Sequence, residues 1–136
     1  MQRSEQLLGK RPLDLIQVYS LKDLETRWEN LREWKEAGWA RYIGVTVSQE
    51  YSYSELEDFL KRESDIDFVQ LNYSLMKPRS AERLIPLAAD KDVAIIVNRA
   101  FDNGRYFSLV QSMELPEWSK EFDYKSCPVF LKIYSC

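Results

Sequence analysis

Four short runs rich in branched apolar residues punctuate an otherwise polar chain: residues 14–19 (DLIQVY), 41–47 (RYIGVTV), 67–73 (DFVQLNY) and 93–98 (VAIIVN). Their first residues are spaced 27, 26 and 26 positions apart, which is the signature of a repeat. Each interval also holds a segment with helical spacing. The unit is therefore strand, helix, next strand, too long for hairpins and suited to parallel crossovers. The pattern predicts an α/β fold.

The helices follow from their own patterns. After the first strand, Leu24, Trp28, Leu31 and Trp34 share a face, Glu25, Arg27, Glu29 and Glu36 lie mainly elsewhere, and Gly38 supplies a C-terminal stop. After the second, Ser54 and Glu57 have capping-box spacing ahead of Phe59 and Leu60. After the third, Ser80 is a candidate cap for a helix containing Ala81, Leu84, Ile85 and Ala88, which Pro86 is expected to kink. Residues 99–123, with Asn103-Gly104 and Pro116, read as a long loop. A last helix is expected after Ser126, with Pro128 in its first turn and Val129, Phe130 and Ile133 as its apolar stripe. Residues 2–8 read as the tail of a preceding helix.

Alternation within the strands separates two faces. One collects Ile16, Val18, Ile43, Val45, Val69, Leu71, Val93, Ile95 and Val97, as burial under helices requires. The other collects Leu15, Gln17, Tyr19, Tyr42, Gly44, Thr46, Phe68, Gln70, Asn72, Ala94, Ile96 and Asn98, and becomes polar toward the strand C-termini. A doubly wound sheet needs two aliphatic faces. A (β/α) barrel instead packs its interior below and meets ligands at the C-terminal rim. The pattern favours a barrel-type sheet with helices on one side.

Composition narrows the chemistry. The 136 residues are 45% hydrophobic and 30% charged, as expected for one globular domain spanning residues 1–136. There is no histidine, which removes a Ser-His-Asp hydrolase, a His-ligated zinc site and an imidazole proton shuttle; no metal site is expected. With 19 basic against 22 acidic residues, interleaved, the net charge of −3 leaves no footprint for nucleic acid. The longest aliphatic run, residues 93–97, is too short to span a bilayer, and the N-terminus carries no signal-peptide pattern, so no membrane partner is expected. Cys127 and Cys136 lie nine residues apart in the last expected helix, too far along its axis to bridge. A reducing, cytoplasmic setting is the simplest reading.

The stretches LDLIQVYSLKDLE, LREWKEAGWARYIGVT, FVQLNYSL and AIIVNRAFDNGRYF together resemble the C-terminal half of an aldo/keto reductase, in the right order and spacing. The resemblance implies half of a TIM-type (β/α)8 barrel, strands four to seven with their helices. In that family hydride passes from NADPH to a carbonyl, and a Tyr tuned by a Lys donates the proton, supported by an Asp and a His. The Asp, Tyr and Lys belong to earlier strands, and the His ends the fourth strand in a motif like D-L-x-Q-V-H. Here the motif ends in Tyr19. Thr46 and Gln70 match the family's carboxamide contacts, Val47 replaces an Asn, and Asn98 stands where many members stack a Tyr on the nicotinamide. By the same resemblance Met1 falls within a helix, and strand eight with the segment that grips the adenosine phosphate lies beyond Cys136.

No residue is therefore assigned a catalytic role. Thr46, Gln70 and Asn98 are the candidate cofactor contacts, and Tyr19, Asn72 and Arg99 the candidate ligand contacts at the rim. Each also has a plainer reading: Tyr19 packed on the inner face, Gln70, Asn72 and Asn98 satisfied by one another and by water, Arg99 solvated or salt-bridged. Trp28 and Trp34 serve the helix stripe, whereas Trp39 and Trp118 could cover a core edge. A four-stranded sheet leaves two strand edges and an inner face bearing Leu15, Tyr42, Phe68 and Ile96 to be covered. A homodimer through the open inner face or the sheet edges is expected on that ground, the alternative being that the terminal helices or the loop at residues 99–123 fold back over the opening; a small molecule is possible at the rim. The chain alone is expected to take no cofactor and to act as a self-associating binding or assembly module; the alternative is an NADPH-dependent carbonyl oxidoreductase completed by a partner chain.

Overall fold

The structure, a computed structural model, describes residues 2–9, 12–111, 113, 114, 117 and 118. The chain divides into two units, Met1–Gly104 and Arg105–Cys136. The first contains helix α1 (Gln2–Leu8), strand β1 (Leu13–Tyr19), α2 (Leu24–Glu36), β2 (Ala40–Thr46), α3 (Tyr53–Arg62), β3 (Phe68–Asn72), α4 (Leu84–Asp90) and β4 (Ala94–Asn98). Its strands form one parallel sheet in the order β1-β2-β3-β4. Four βα units in sequential order are part of a TIM-type barrel.

Aliphatic alternation builds the core where expected. Ile43, Val45, Val69 and Leu71 point to the helix side and are buried against Trp28 and Leu31 of α2 and Leu56, Phe59 and Leu60 of α3. Trp28 is 2% exposed, meets the Phe59 ring edge-on with centroids 5.2 Å apart, and has no hydrogen-bond partner for its indole N–H. Val97 departs from the expected burial, being 42% exposed. The sheet is drawn tightest between β2 and β3: a Cβ on Gly44 would lie 2.4 Å from the Phe68 carbonyl oxygen. Beside this contact the Asp67 carboxylate accepts the Ile43 N–H (2.8 Å) and the Lys35 ammonium (2.6 and 2.7 Å), fixing where β3 begins to pair.

Several expected helix ends shift. Helix α3 starts at Tyr53, so Ser54 lies inside it and makes no capping box; the Glu57 carboxylate is bound instead by Lys61 and Arg83, both at 2.6 Å. Those cations hold it below the usual carboxylate range, Lys61 first. Ser80 sits in a 3-10 turn (Arg79–Ala81) and donates its hydroxyl to the Asn72 carbonyl (2.9 Å) instead of capping a helix. Because α4 then begins only at Leu84, Pro86 falls in its first turn, where a missing N–H breaks no helical hydrogen bond, and the expected kink is not needed. The segment read as a long loop contains a 3-10 turn (Asp102–Gly104) and, in the second unit, helix α5 (Arg105–Val110). Trp39 is half-buried, and Trp118, in the second unit, is 67% exposed. The last expected helix, with Cys127 and Cys136, lies outside the described residues.

Candidate functional site

Register places the inward-facing residues in tiers. Leu15 lies level with Tyr42; Gln17 with Gly44, Phe68 and Ala94; Tyr19 with Thr46, Gln70 and Ile96; and Asn72 with Asn98. The lower two are apolar apart from Gln17 and are closed partly by the edge-on rings of Tyr42 and Phe68, 5.6 Å apart. The upper two are polar and open onto the C-terminal rim, the end of such a sheet that meets ligands.

Within these tiers the candidates separate. The Gln70 side chain donates to Asn98 Oδ1 at 2.6 Å, tying β3 to β4. Asn72 donates to the Ser48 carbonyl (2.7 Å), while its own carbonyl receives the Tyr53 and Ser80 hydroxyls at 3.1 and 2.9 Å. Burial, then Glu50, pushes the Tyr53 phenol up, so it stays a donor. Asn72 Oδ1 is buried without a partner. Thr46 is half-buried beside Gln70. Tyr19 is not packed on the inner face: it is 72% exposed at the rim, and its hydroxyl has no bond to the described residues.

Asn72 and Arg99 meet at a cleft of about 280 Å³ between the loops after β2, β3 and β4, lined also by Ser48, Ser74, Lys77 and Asp102. Arg99 adopts a left-handed backbone (φ 55°), is exposed, and forms no ion pair with the described residues. Lys77 and the buried Asp102 pair at 3.0 Å. The cleft thus offers one guanidinium, the Lys77–Asp102 ion pair, the Glu50 carboxylate and several hydroxyls and amides. It can hold a small polar group, and it contains no nucleophile paired with a base. Among the described residues no cluster could hold a metal ion. Tyr19, Thr46, Gln70 and Asn98 do not line this cleft; they form a neighbouring polar patch on the inner face. Lys77 and Asp102 were not legible as site residues, since one follows a strand by several positions and the other lies in the segment read as a plain loop.

The sequence model of the aldo/keto reductase family matches residues 1–128. The chain belongs to that family. Two solved structures share the fold: the aldo-keto reductase AKR11C1 from Bacillus halodurans in its holo form and in its apo form, each with a TM-score of 0.64 and 24% identity over 85% of this chain. The match covers 38% and 39% of those chains, so this aldo/keto reductase family member spans well under half the length of the reductases it resembles. No curated protein matches it. The rim of its sheet carries Tyr19 at the end of β1 and the Gln70–Asn98 bond between β3 and β4. No helix of the described residues is long and apolar enough to cross a membrane.

Proposed function

We propose that this chain is an aldo/keto-reductase-derived half-barrel that is not an active reductase alone and serves as a self-associating binding or assembly module. The observation that carries the reading is Tyr19. It stands where the family's supporting His would be, exposed, with no cation bonded to its hydroxyl among the described residues. A phenol needs a neighbouring cation to give up its proton at neutrality. The nicotinamide cofactor that the fold family implies fits only in part: Thr46 and Gln70 could contact its carboxamide, but Asn98, already bonded to Gln70, offers no ring to stack on. If bound, the cofactor would supply a hydride; the residues here would orient its amide and hold no proton for transfer. A cytoplasmic location belongs to the same reading, supported by family membership.

Titrating the purified chain against NADPH by fluorescence, then adding carbonyl substrates, tests this directly. We expect no saturable binding at micromolar concentration and no carbonyl-dependent oxidation. Saturable binding with turnover would overturn this reading, whereas no binding would leave the second reading, an NADPH-dependent carbonyl oxidoreductase that the retained Thr46 and Gln70 favour, only by way of a completing partner chain.

A further inference from the structure

The register of the sheet constrains what can complete it. The three strand pairings run with sequence offsets of 27, 24 and 26 residues, so the level of Leu13 meets the line of β4 at position 90. Strand β4 begins at Ala94, four residues nearer the rim. A closed eight-stranded barrel of this type accumulates a stagger of ~8. Setting Ala94 level with Leu13 of a second copy would give two such sets of four strands that total. We infer that a second copy of the chain completes the sheet, related by a two-fold axis along the barrel, with β4 of each copy pairing in parallel along β1 of the other. The inference rests on the proposed self-association and gives it a geometry.

That axis keeps every strand parallel, whereas a two-fold lying across the strands would reverse one set. Ala94 then lies beside Leu13 of the second copy, Ile96 beside its Leu15 and Asn98 beside its Gln17. Because side chains alternate with period two, an even stagger sets inward residues against inward residues around the closure. All five residues of β4 find partners on the seven of β1. Two further features agree. Gln17 Nε2 is buried without a hydrogen-bond partner in a single copy, and this pairing sets the Asn98 amide, whose Oδ1 keeps a second lone pair, beside it. The β4 edge reads AIIVN, with neither charge nor proline to discourage pairing.

Light scattering of the unmodified chain at micromolar concentration should give about twice 16.1 kDa. In a background of Cys127→Ser and Cys136→Ser, the double variant Gln17→Cys with Asn98→Cys should oxidise to a covalent dimer, and either single variant should not. Within one copy three strand spacings, roughly 14 Å, separate β1 from β4, beyond the ~4.4–6.8 Å between Cα atoms that a disulfide spans. A monomeric mass overturns the inference. So does a dimer in which the 17–98 link fails to form, or forms no better than links in the single variants, since the copies would then pack another way. A monomer would thus overturn the proposed self-association together with its geometry, whereas a dimer without the 17–98 link would fail only the geometry; NADPH binding by the unmodified chain reads the lack of reductase activity separately.

Discussion

At Gly44 a missing side chain lets two strands meet. Adding one methyl would set it 2.4 Å from a backbone oxygen that cannot swing away. Gly44→Ala should therefore lower the unfolding free energy by about 2 kcal/mol in urea titration, and a neutral result would mean that the β2–β3 spacing relaxes freely. Asp65 tests charge instead. Its carboxylate receives the Arg32 guanidinium at 2.6 and 2.9 Å, and that hydrogen bond above all holds its pKa below the usual range. A depressed folded pKa means that the unfolded chain takes up the proton first. The stabilisation is thus complete above pH ~4 and fades as pH falls through the folded value. With both side chains partly exposed it should be about 0.5 kcal/mol, and Asp65→Asn should flatten this acid limb of the stability curve. Single residues were unevenly legible. Strand alternation placed Gln70 and Asn98 on one inward face, but no pattern in sequence specifies that their amides meet, or that Tyr19 stands free at the rim.

Elements were more legible than their ends. The four strands and the helices between them follow from apolar spacing, because burial of one face decides them. Ends depend on local hydrogen bonds that spacing does not encode: Ser80 serves the Asn72 carbonyl and so leaves the next helix to start at Leu84. Helix α5 was missed because Asn103-Gly104 reads as a turn, and the turn it makes leads straight into that helix. The end of α3 has a device of its own. The Lys91 ammonium, carried over from α4, donates to the carbonyls of Leu60, Lys61 and Glu63 that the helix itself leaves unpaired. Lys91→Met should cost about 1 kcal/mol and speed amide hydrogen exchange in the last turn of α3 before any change in β2 or β3. Uniform acceleration across the sheet would show that Lys91 supports more than that helix end.

For the whole molecule, the fold class and its relation to a barrel were readable because the 26-residue beat and the one-sided polar gradient are long-range signals. The division into two units was not, since nothing in the composition changes at Gly104. If two copies share a sheet, stability must depend on concentration: each tenfold dilution should lower the unfolding free energy by about 1.4 kcal/mol, read as a falling urea midpoint. A midpoint independent of dilution would speak for a folded single copy. The placement of the four tryptophans bears on how such transitions are seen. Trp28, Trp34 and Trp39 belong to the first unit, and Trp28 is dry and free of hydrogen bonds, an environment in which indole emits toward the blue. Trp118, in the second unit, already faces solvent. A red shift in emission on denaturation therefore follows the first unit almost alone. Its departure from the loss of helical circular dichroism would measure how far the two units melt independently.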